Sequence, residues 1–433
     1  MSTQYEEARD GRITPAMRHA AEQERQPPEK VRDELAAGRA ALPANPAHTG
    51  LQPSVVGVAF KTKVNANIGR STERSDDLEE AFKLKVTLEA GADCVMDLSV
   101  GRDLGALRRN LLEACPLPFG TVPIYEAISR VGGKAMDLSA PLLLDVIKTQ
   151  AEQGVDFMTL HAGFLRRYVP MAVKRLAGIV SRGGALIADW MIEHHRENPL
   201  YEAFDEVLAL CHKHDVTISL GDGLRPGCQA DAGDAAQYAE LDTLGDLVRR
   251  CRQAGVQVMV EGPGHVPFHE IKAQMEKEAL VCDGAPFYVL GPVVTDVAPG
   301  YDHITAAIGA TAAAAWGASL LCYVTPAEHL GLPTAKEVHE GIMAFRIAAH
   351  AGDLARGIPN ARQWDDDMTR ARTQFNWCRQ FELALDGKRA RARFRQSRPD
   401  VADDTDHCTM CGAEFCAMRI SKSVTDKLAA KKK

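Results

Sequence analysis

No apolar run in this 433-residue chain approaches the roughly 20 residues that cross a bilayer. Its first ten residues, MSTQYEEARD, lack the basic and apolar regions of a secretory signal. Neither a membrane protein nor an exported one is expected, and the chain reads as cytoplasmic. Surplus charge is small. The 51 basic and 58 acidic residues leave −7, which supplies no general attraction for nucleic acid or an anionic membrane. Collagen and low-complexity disorder are excluded too, because 35 Gly and 22 Pro are dispersed among 45% apolar residues. A disulfide framework is also missing: the cysteines at 94, 115, 211, 228, 251, 282, 322 and 378 are scattered, as a reducing compartment allows. The remaining three crowd near the end and need a separate cause.

What is present is a repeating rhythm. Residues 1–50 are charged and helix-prone, broken by Pro27 and Pro28 and closed by PANP at 43–46, and read as an arm. Over residues 51–356, short apolar runs alternate with longer amphipathic stretches. The candidate strands are VVGVAF from 55, DCVMDLSV from 93, TVPIY from 121, DFMTLHA from 156, VTISLGDG from 216, VQVMVEG from 256, FYVLGPVV from 287 and SLLCYV from 319. Such strand-then-helix units predict a closed (β/α)8 barrel, a fold of typically ~250 residues and more with insertions. An open doubly wound sheet is the other arrangement, but no GxGxxG follows the first run. Residues 357–433 change character: charged helical segments, the polar stretch SRPDVADDTD, the cysteine cluster and a lysine-tipped tail.

The apolar runs finish on polar residues: Asp97 and Ser99, Tyr125, His161, Asp222 and Arg225, Glu261 and His265, Asp296, Glu328 and His329. In a barrel these gather at the carboxyl-end face, where active sites of this fold sit; in isolation each is an ordinary polar loop residue. SRGG (Ser181 to Gly184) and DGLRPG (Asp222 to Gly227) each combine an arginine with glycines that let a backbone approach a ligand, as phosphate binding requires. Simple turns would look the same. NANIG (Asn65 to Gly69), Met96 and Tyr125 offer hydrogen-bonding groups and an apolar wall suited to a heterocycle and ribose. His265 in EGPGHVP and His329 in TPAEHLG could share a divalent ion, or be hydrogen-bonded loop histidines.

The most specific local signal is Cys408, Cys411 and Cys416, spaced CX2CX4C. Three thiolates on one loop can hold three irons of a 4Fe-4S cluster and leave the fourth open to an external ligand. A Cys3His zinc site recruiting His407 is the alternative, although His407 adjoins Cys408 and would have to fold back sharply.

Together these motifs resemble the phosphomethylpyrimidine synthase family of thiamin biosynthesis, a non-classical branch of the radical S-adenosylmethionine enzymes, from about Thr14 to Lys422. The resemblance implies that Asn67, Met96, Tyr125, His161, Ser181, Arg182, Gly183, Asp222, Gly223, Leu224, Arg225, Glu261 and Tyr288 contact substrate. It implies that His265 and His329 hold zinc or a similar ion near the cofactor, and that Cys408, Cys411 and Cys416 hold the cluster. The implied reaction is a carbon-carbon lyase type of rearrangement of 5-aminoimidazole ribotide, begun by a 5′-deoxyadenosyl radical. A reductase with flavodoxin or ferredoxin as electron donor and a homodimer, its cluster tail joined by a flexible SRPDVADDTD, are implied as well. Two departures stand out. The large amino-terminal domain of the long forms is lacking, and the usual serine and isoleucine after RPG are Cys228 and Gln229. Both lean the expected product toward 5-hydroxybenzimidazole, the cobamide lower base made by a sister family from the same ribotide. The alternative product is 4-amino-5-hydroxymethyl-2-methylpyrimidine phosphate. Two other classes fit the residues less well: a zinc-dependent sugar-phosphate aldolase built on His265 and His329, and a non-catalytic iron-sulfur scaffold.

Overall fold

The computed structural model describes residues 2–397 and 405–431; most of the expected SRPDVADDTD joint, at 398–404, lies outside them. Two compact units divide the chain after Arg356.

In the first unit eight parallel strands close into a barrel: β1 (Lys63–Ile68), β2 (Cys94–Asp97), β3 (Phe119–Thr121), β4 (Phe157–Leu160), β5 (Thr217–Leu220), β6 (Val258–Gly262), β7 (Phe287–Leu290) and β8 (Ala318–Cys322), with β8 pairing back onto β1. Each strand is buried along nearly its whole length, as expected where helices cover the outside of a parallel sheet. The crossover helices carry the usual start and stop chemistry. Asp76 caps Asp77–Ala90, which ends on a left-handed Gly91, and Ser139 caps Ala140–Gln153, which ends on a left-handed Gly154. Leu107, Leu111, Val146, Ile147 and Leu247 are among the side chains these helices bury against the strands.

The amino-terminal helices Gln4–Arg9, Pro15–Glu24 and Pro28–Ala36 belong to the same unit and have a small core of their own around Met17, Val31, Leu35 and Phe60. They join the barrel where its strands begin. Glu24 accepts from Lys63 Nζ at 2.8 Å, Gln257 Oε1 from the Leu42 N–H at 2.7 Å, and Asp156 Oδ1 from the Asn45 N–H at 2.9 Å. His48 stands between Asp156 Oδ2 at 2.6 Å and the Cys115 carbonyl at 2.8 Å.

Two sequence expectations are corrected. VVGVAF is not a barrel strand; it contributes only Val56–Gly57, an antiparallel pair with Ala40–Ala41, while the first barrel strand is KVNANI at 63–68. TVPIY is not a continuous strand either. Pro123 starts the helix Pro123–Arg130, so Tyr125 sits in a helical first turn.

The second unit consists of the helices Ala361–Thr373, Trp377–Leu383, Gly387–Ser397, Gly412–Phe415 and Ala417–Ala430. Phe394 packs on Trp377 and Phe381, with ring centroids 4.4 and 5.6 Å apart, and the Trp377 indole donates to the Thr405 carbonyl just ahead of the cysteines.

Candidate active site

Strand ends converge on an open cavity of about 490 Å3, its solvent-filled mouth included, at the carboxyl-end face of the barrel. Asn67 comes from β1, Met96 from β2, Glu261 from β6, Tyr288 from β7 and Cys322 from β8; His161, Asp222 and Arg225 follow β4 and β5, and Tyr125 leans in from its helix. Asn67, Met96, Tyr125, His161, Asp222, Arg225, Glu261 and Tyr288 thus line one space. Ser181, Gly183, Gly223 and Leu224 do not.

The four residues outside the lining build the wall behind it. Ser181 is fully buried and caps the helix Arg182–His194, its Oγ accepting the Gly184 N–H at 3.1 Å. A β-carbon on Gly183 would come within 2.4 Å of the His161 ring, and one on Gly184 within 2.4 Å of the Gly223 carbonyl, so the glycines of SRGG let this helix start against both partners. The N–H groups of Gly223 and Leu224 donate to Glu240 at 2.9 and 2.7 Å, which fixes the DGLR turn from below and leaves those amides unavailable to a ligand. Arg182 lies with its guanidinium 4.8 Å from the Tyr125 ring centroid, a cation–π contact at the cavity's edge.

The electrostatics of the cavity favour neutral groups around fixed cations. Burial, assisted by Arg225, holds His161 down to about 3, so its imidazole is uncharged, and its Nδ1 has no partner among the described residues. Burial pushes Asp222 up to about 8 despite the Arg225 guanidinium 3.1 Å away, and its Oδ2 is likewise unpartnered. Glu261 is raised by burial against the hydroxyls of Thr159 at 2.6 Å and Ser219 at 3.2 Å. Unpartnered buried polar atoms cost about 1–3 kcal/mol each, so these await a ligand's complementary groups. Arg225 and Arg182 remain as cations for an anionic end.

A second cavity of about 750 Å3 adjoins the first across Asn67 and Leu98, lined by Gly69, Arg70, Lys83, Arg182, Tyr323, Thr325 and Glu328 among others. Lys83 is buried and paired with Glu80 at 2.9 Å, and Glu80 also accepts the Gly69 N–H at 2.6 Å, which ties the turn after β1 to the following helix.

His265 and His329 are brought together, with ring centroids 5.2 Å apart. Each presents Nδ1 to a carboxylate, Asp296 at 2.8 Å and Asp302 at 2.9 Å. That arrangement fixes the tautomer and leaves Nε2 as the ligating atom, the usual support for a histidine on a divalent ion. The pair therefore fits such an ion, although no three His, Cys, Asp or Glu side chains converge as an ion site among the described residues.

In the second unit Cys408 is half-buried, Cys411 exposed and Cys416 buried. Gly412 turns the chain with φ 70°, and its N–H donates to the Cys408 carbonyl at 3.1 Å, after which Cys416 leads into the helix Ala417–Ala430. A short loop of thiols of graded exposure, outside any apolar core, is a donor set suited to iron and sulfide. His407, the fourth ligand of the zinc alternative, has Nδ1 3.0 Å from Asp406.

Sequence reasoning overlooked Thr159, Ser219, Glu240 and Cys322, and named Asn65 only as the first residue of NANIG. Asn65 donates to the Tyr288 hydroxyl at 2.7 Å, and Asn67 Nδ2 to Cys322 Sγ at 3.0 Å. The period-two spacing of Asn65 and Asn67 would reveal the first once KVNANI is read as a strand.

Against known families, the model described as "Radical SAM ThiC family" matches residues 3–423. The phosphomethylpyrimidine synthase of Halobacterium salinarum is 56% identical over 427 residues, 98% of this chain and 90% of that protein. The phosphomethylpyrimidine synthase of Natronomonas pharaonis is 57% identical over 427 residues, 98% of this chain and 89% of that protein. Among solved structures, the Yersinia pestis dihydropteroate synthase is similar at a TM-score of 0.40 and 12% identity, covering 68% of this chain and 93% of that one.

Proposed function

Because the chain belongs to the radical SAM ThiC family, and is therefore an enzyme of the radical S-adenosylmethionine type, we propose that it converts 5-aminoimidazole ribotide to 4-amino-5-hydroxymethyl-2-methylpyrimidine phosphate. When bound, the 4Fe-4S cluster and S-adenosylmethionine would supply the radical chemistry by which hydrogen could be taken from the substrate. The cluster belongs on Cys408, Cys411 and Cys416, and a divalent ion such as zinc on His265 and His329, where it would orient the cofactor. A flavodoxin- or ferredoxin-type donor delivers the electron, and two chains form the working dimer.

The observation that carries this reading is the single cavity in which Arg225 faces Asn67, Met96, Tyr125, His161, Glu261 and Tyr288. Arg225, backed by Arg182, takes the phosphate. The neutral His161 offers Nδ1 to a ribose hydroxyl or ring nitrogen, and the proton-holding carboxyl of Asp222 can donate where a carboxylate could only accept. The adjoining chamber, sharing Asn67, gives the nucleoside cofactor a place beside the ribotide. Positioning of this kind matters for a radical, since one hydrogen must be presented and others withheld.

Pyrimidine phosphate is favoured over 5-hydroxybenzimidazole on two grounds. A protein carrying the pyrimidine name matches this chain over 90% of its own length, so a compact chain does not argue for the other product. And the departures at Cys228 and Gln229 are not among the cavity's lining residues: the Cys228 thiol donates to Asp231 at 3.2 Å and Gln229 contacts Val293 and Asp296. The aldolase reading loses its support with the family membership. The test is an anaerobic incubation of reconstituted enzyme with aminoimidazole ribotide, S-adenosylmethionine and dithionite, with products identified by mass and fluorescence. Recovery of the benzimidazole overturns the product assignment; no cleavage of S-adenosylmethionine overturns the reaction class.

A further inference from the structure

The two histidine arms are braced unequally. Asp302, the partner of His329, is buried at the first turn of the helix Asp302–Ala315 and takes the Gly300 N–H at 3.2 Å on its other oxygen. Asp296, the partner of His265, stands exposed on the loop between β7 and that helix. An exposed loop carboxylate moves among rotamers unless held.

The holder comes from a different loop. Gln229 lies two residues past the DGLRPG turn, and its backbone N–H donates to Asp296 Oδ2 at 2.8 Å. Its Nε2 donates to the Val293 carbonyl at 2.8 Å and lies 3.5 Å from Asp296 Oδ1, the oxygen that meets His265. Val293 is the residue bridged to His265, and its neighbours complete the tie: Val266 N–H donates to Val293 O at 3.1 Å and Val293 N–H to Gly264 O at 2.7 Å. Gln229 therefore touches both the carboxylate that orients the imidazole and the segment paired with the histidine itself.

We propose that Gln229 is a positioning residue for the ion-holding arm, acting through Asp296 to keep the His265 imidazole with Nδ1 protonated and Nε2 presented to a divalent ion. The inference rests on His265 and His329 being the ion-holding pair. Outer partners of a ligating histidine typically contribute 10- to 100-fold in metal affinity. Removing the Gln229 side chain leaves its backbone N–H on Asp296, so the loss belongs at the lower end, about tenfold.

The test uses zinc-loaded holoenzyme dialysed against graded chelator, with zinc and iron per chain counted by elemental mass spectrometry. Gln229→Met should release zinc at about tenfold lower chelator, with iron content and melting temperature unchanged. Asp296→Ala should release it at least as readily, and adding Gln229→Met to Asp296→Ala should cost nothing more, because the side chains act in series. Equal zinc retention by wild type and Gln229→Met overturns the proposal, as does a loss that persists undiminished in the Asp296→Ala background. Wild-type enzyme that retains no zinc, or zinc that survives His265→Ala, removes the ion-holding pair itself and is recognised before position 229 is touched.

Discussion

Gly183 and His161 are in such close apposition that the helix carrying the one could not start where it does if a β-carbon stood 2.4 Å from the ring of the other. The imidazole has no partner on Nδ1 among the described residues, so its position there depends on packing rather than on a hydrogen bond. Gly183→Ala is expected to destabilise the protein by about 1–3 kcal/mol through overpacking, and to weaken ribotide binding by displacing His161. Thermal unfolding and equilibrium binding are the measurements; an unchanged affinity would detach His161 from the substrate.

Arg225 contributes in two ways, as the cation inside the cavity and as the counter-charge 3.1 Å from Asp222. Arg225→Ala should weaken ribotide binding by about 2 to 3 kcal/mol if it grips the phosphate. Isothermal titration with the ribotide and with its dephosphorylated riboside separates the roles: the variant should lose the preference for the phosphorylated form. Retained preference would reassign the turn to a structural part.

Cys411 lies in the unit that begins at Gly357, apart from the barrel's core. Cys411→Ala should therefore remove the brown colour and the absorption near ~400 nm of anaerobically prepared protein, along with cleavage of S-adenosylmethionine, while leaving far-ultraviolet circular dichroism and melting unchanged within error. Undiminished colour would remove that thiol from the cluster.

His48 ties the amino-terminal segment to the base of the barrel, and both of its neighbours, the Asp156 carboxylate and the Cys115 carbonyl, are acceptors. Both ring nitrogens must then carry protons. Burial opposes this charge, but Asp156 and the carbonyls outweigh it and raise His48 above its ordinary value. The stabilisation is complete below the unfolded value near ~6.5, where both states hold the proton. It falls across the window between that value and the raised folded one, where only the native state still binds the proton, and is gone once pH has risen through the folded value. Melting temperature should fall over that window in the wild type and fall less in His48→Gln; parallel curves would refute the pairing.

The barrel was legible from the alternation of apolar runs with amphipathic stretches, and the site from motifs at the ends of those runs. The error at the first strand has a physical cause. KVNANI carries a lysine and two asparagines, which read as loop, yet Lys63 is neutralised by Glu24 and the asparagines face the cavity and Tyr288, so tertiary partners override local preference. VVGVAF is apolar because it buries under the arm, with Val55 and Phe60 in the arm's own core. Pro123, at the first position of the helix that carries Tyr125, was the signal missed when TVPIY was read as a strand. Asp296 and Asp302 could not be paired with their histidines from sequence alone, because they lie 31 and 27 positions away along the chain and only the closed barrel brings them together.

The amide of Asn67 borders both chambers. A side chain that is a party wall cannot be remodelled for one tenant alone: enlarging either room takes space from the other. Under the proposed function, selectivity toward the sugar phosphate and toward the nucleoside is therefore inherited jointly, and any attempt to retune the site for a new ligand has to be judged by what it does to both chambers.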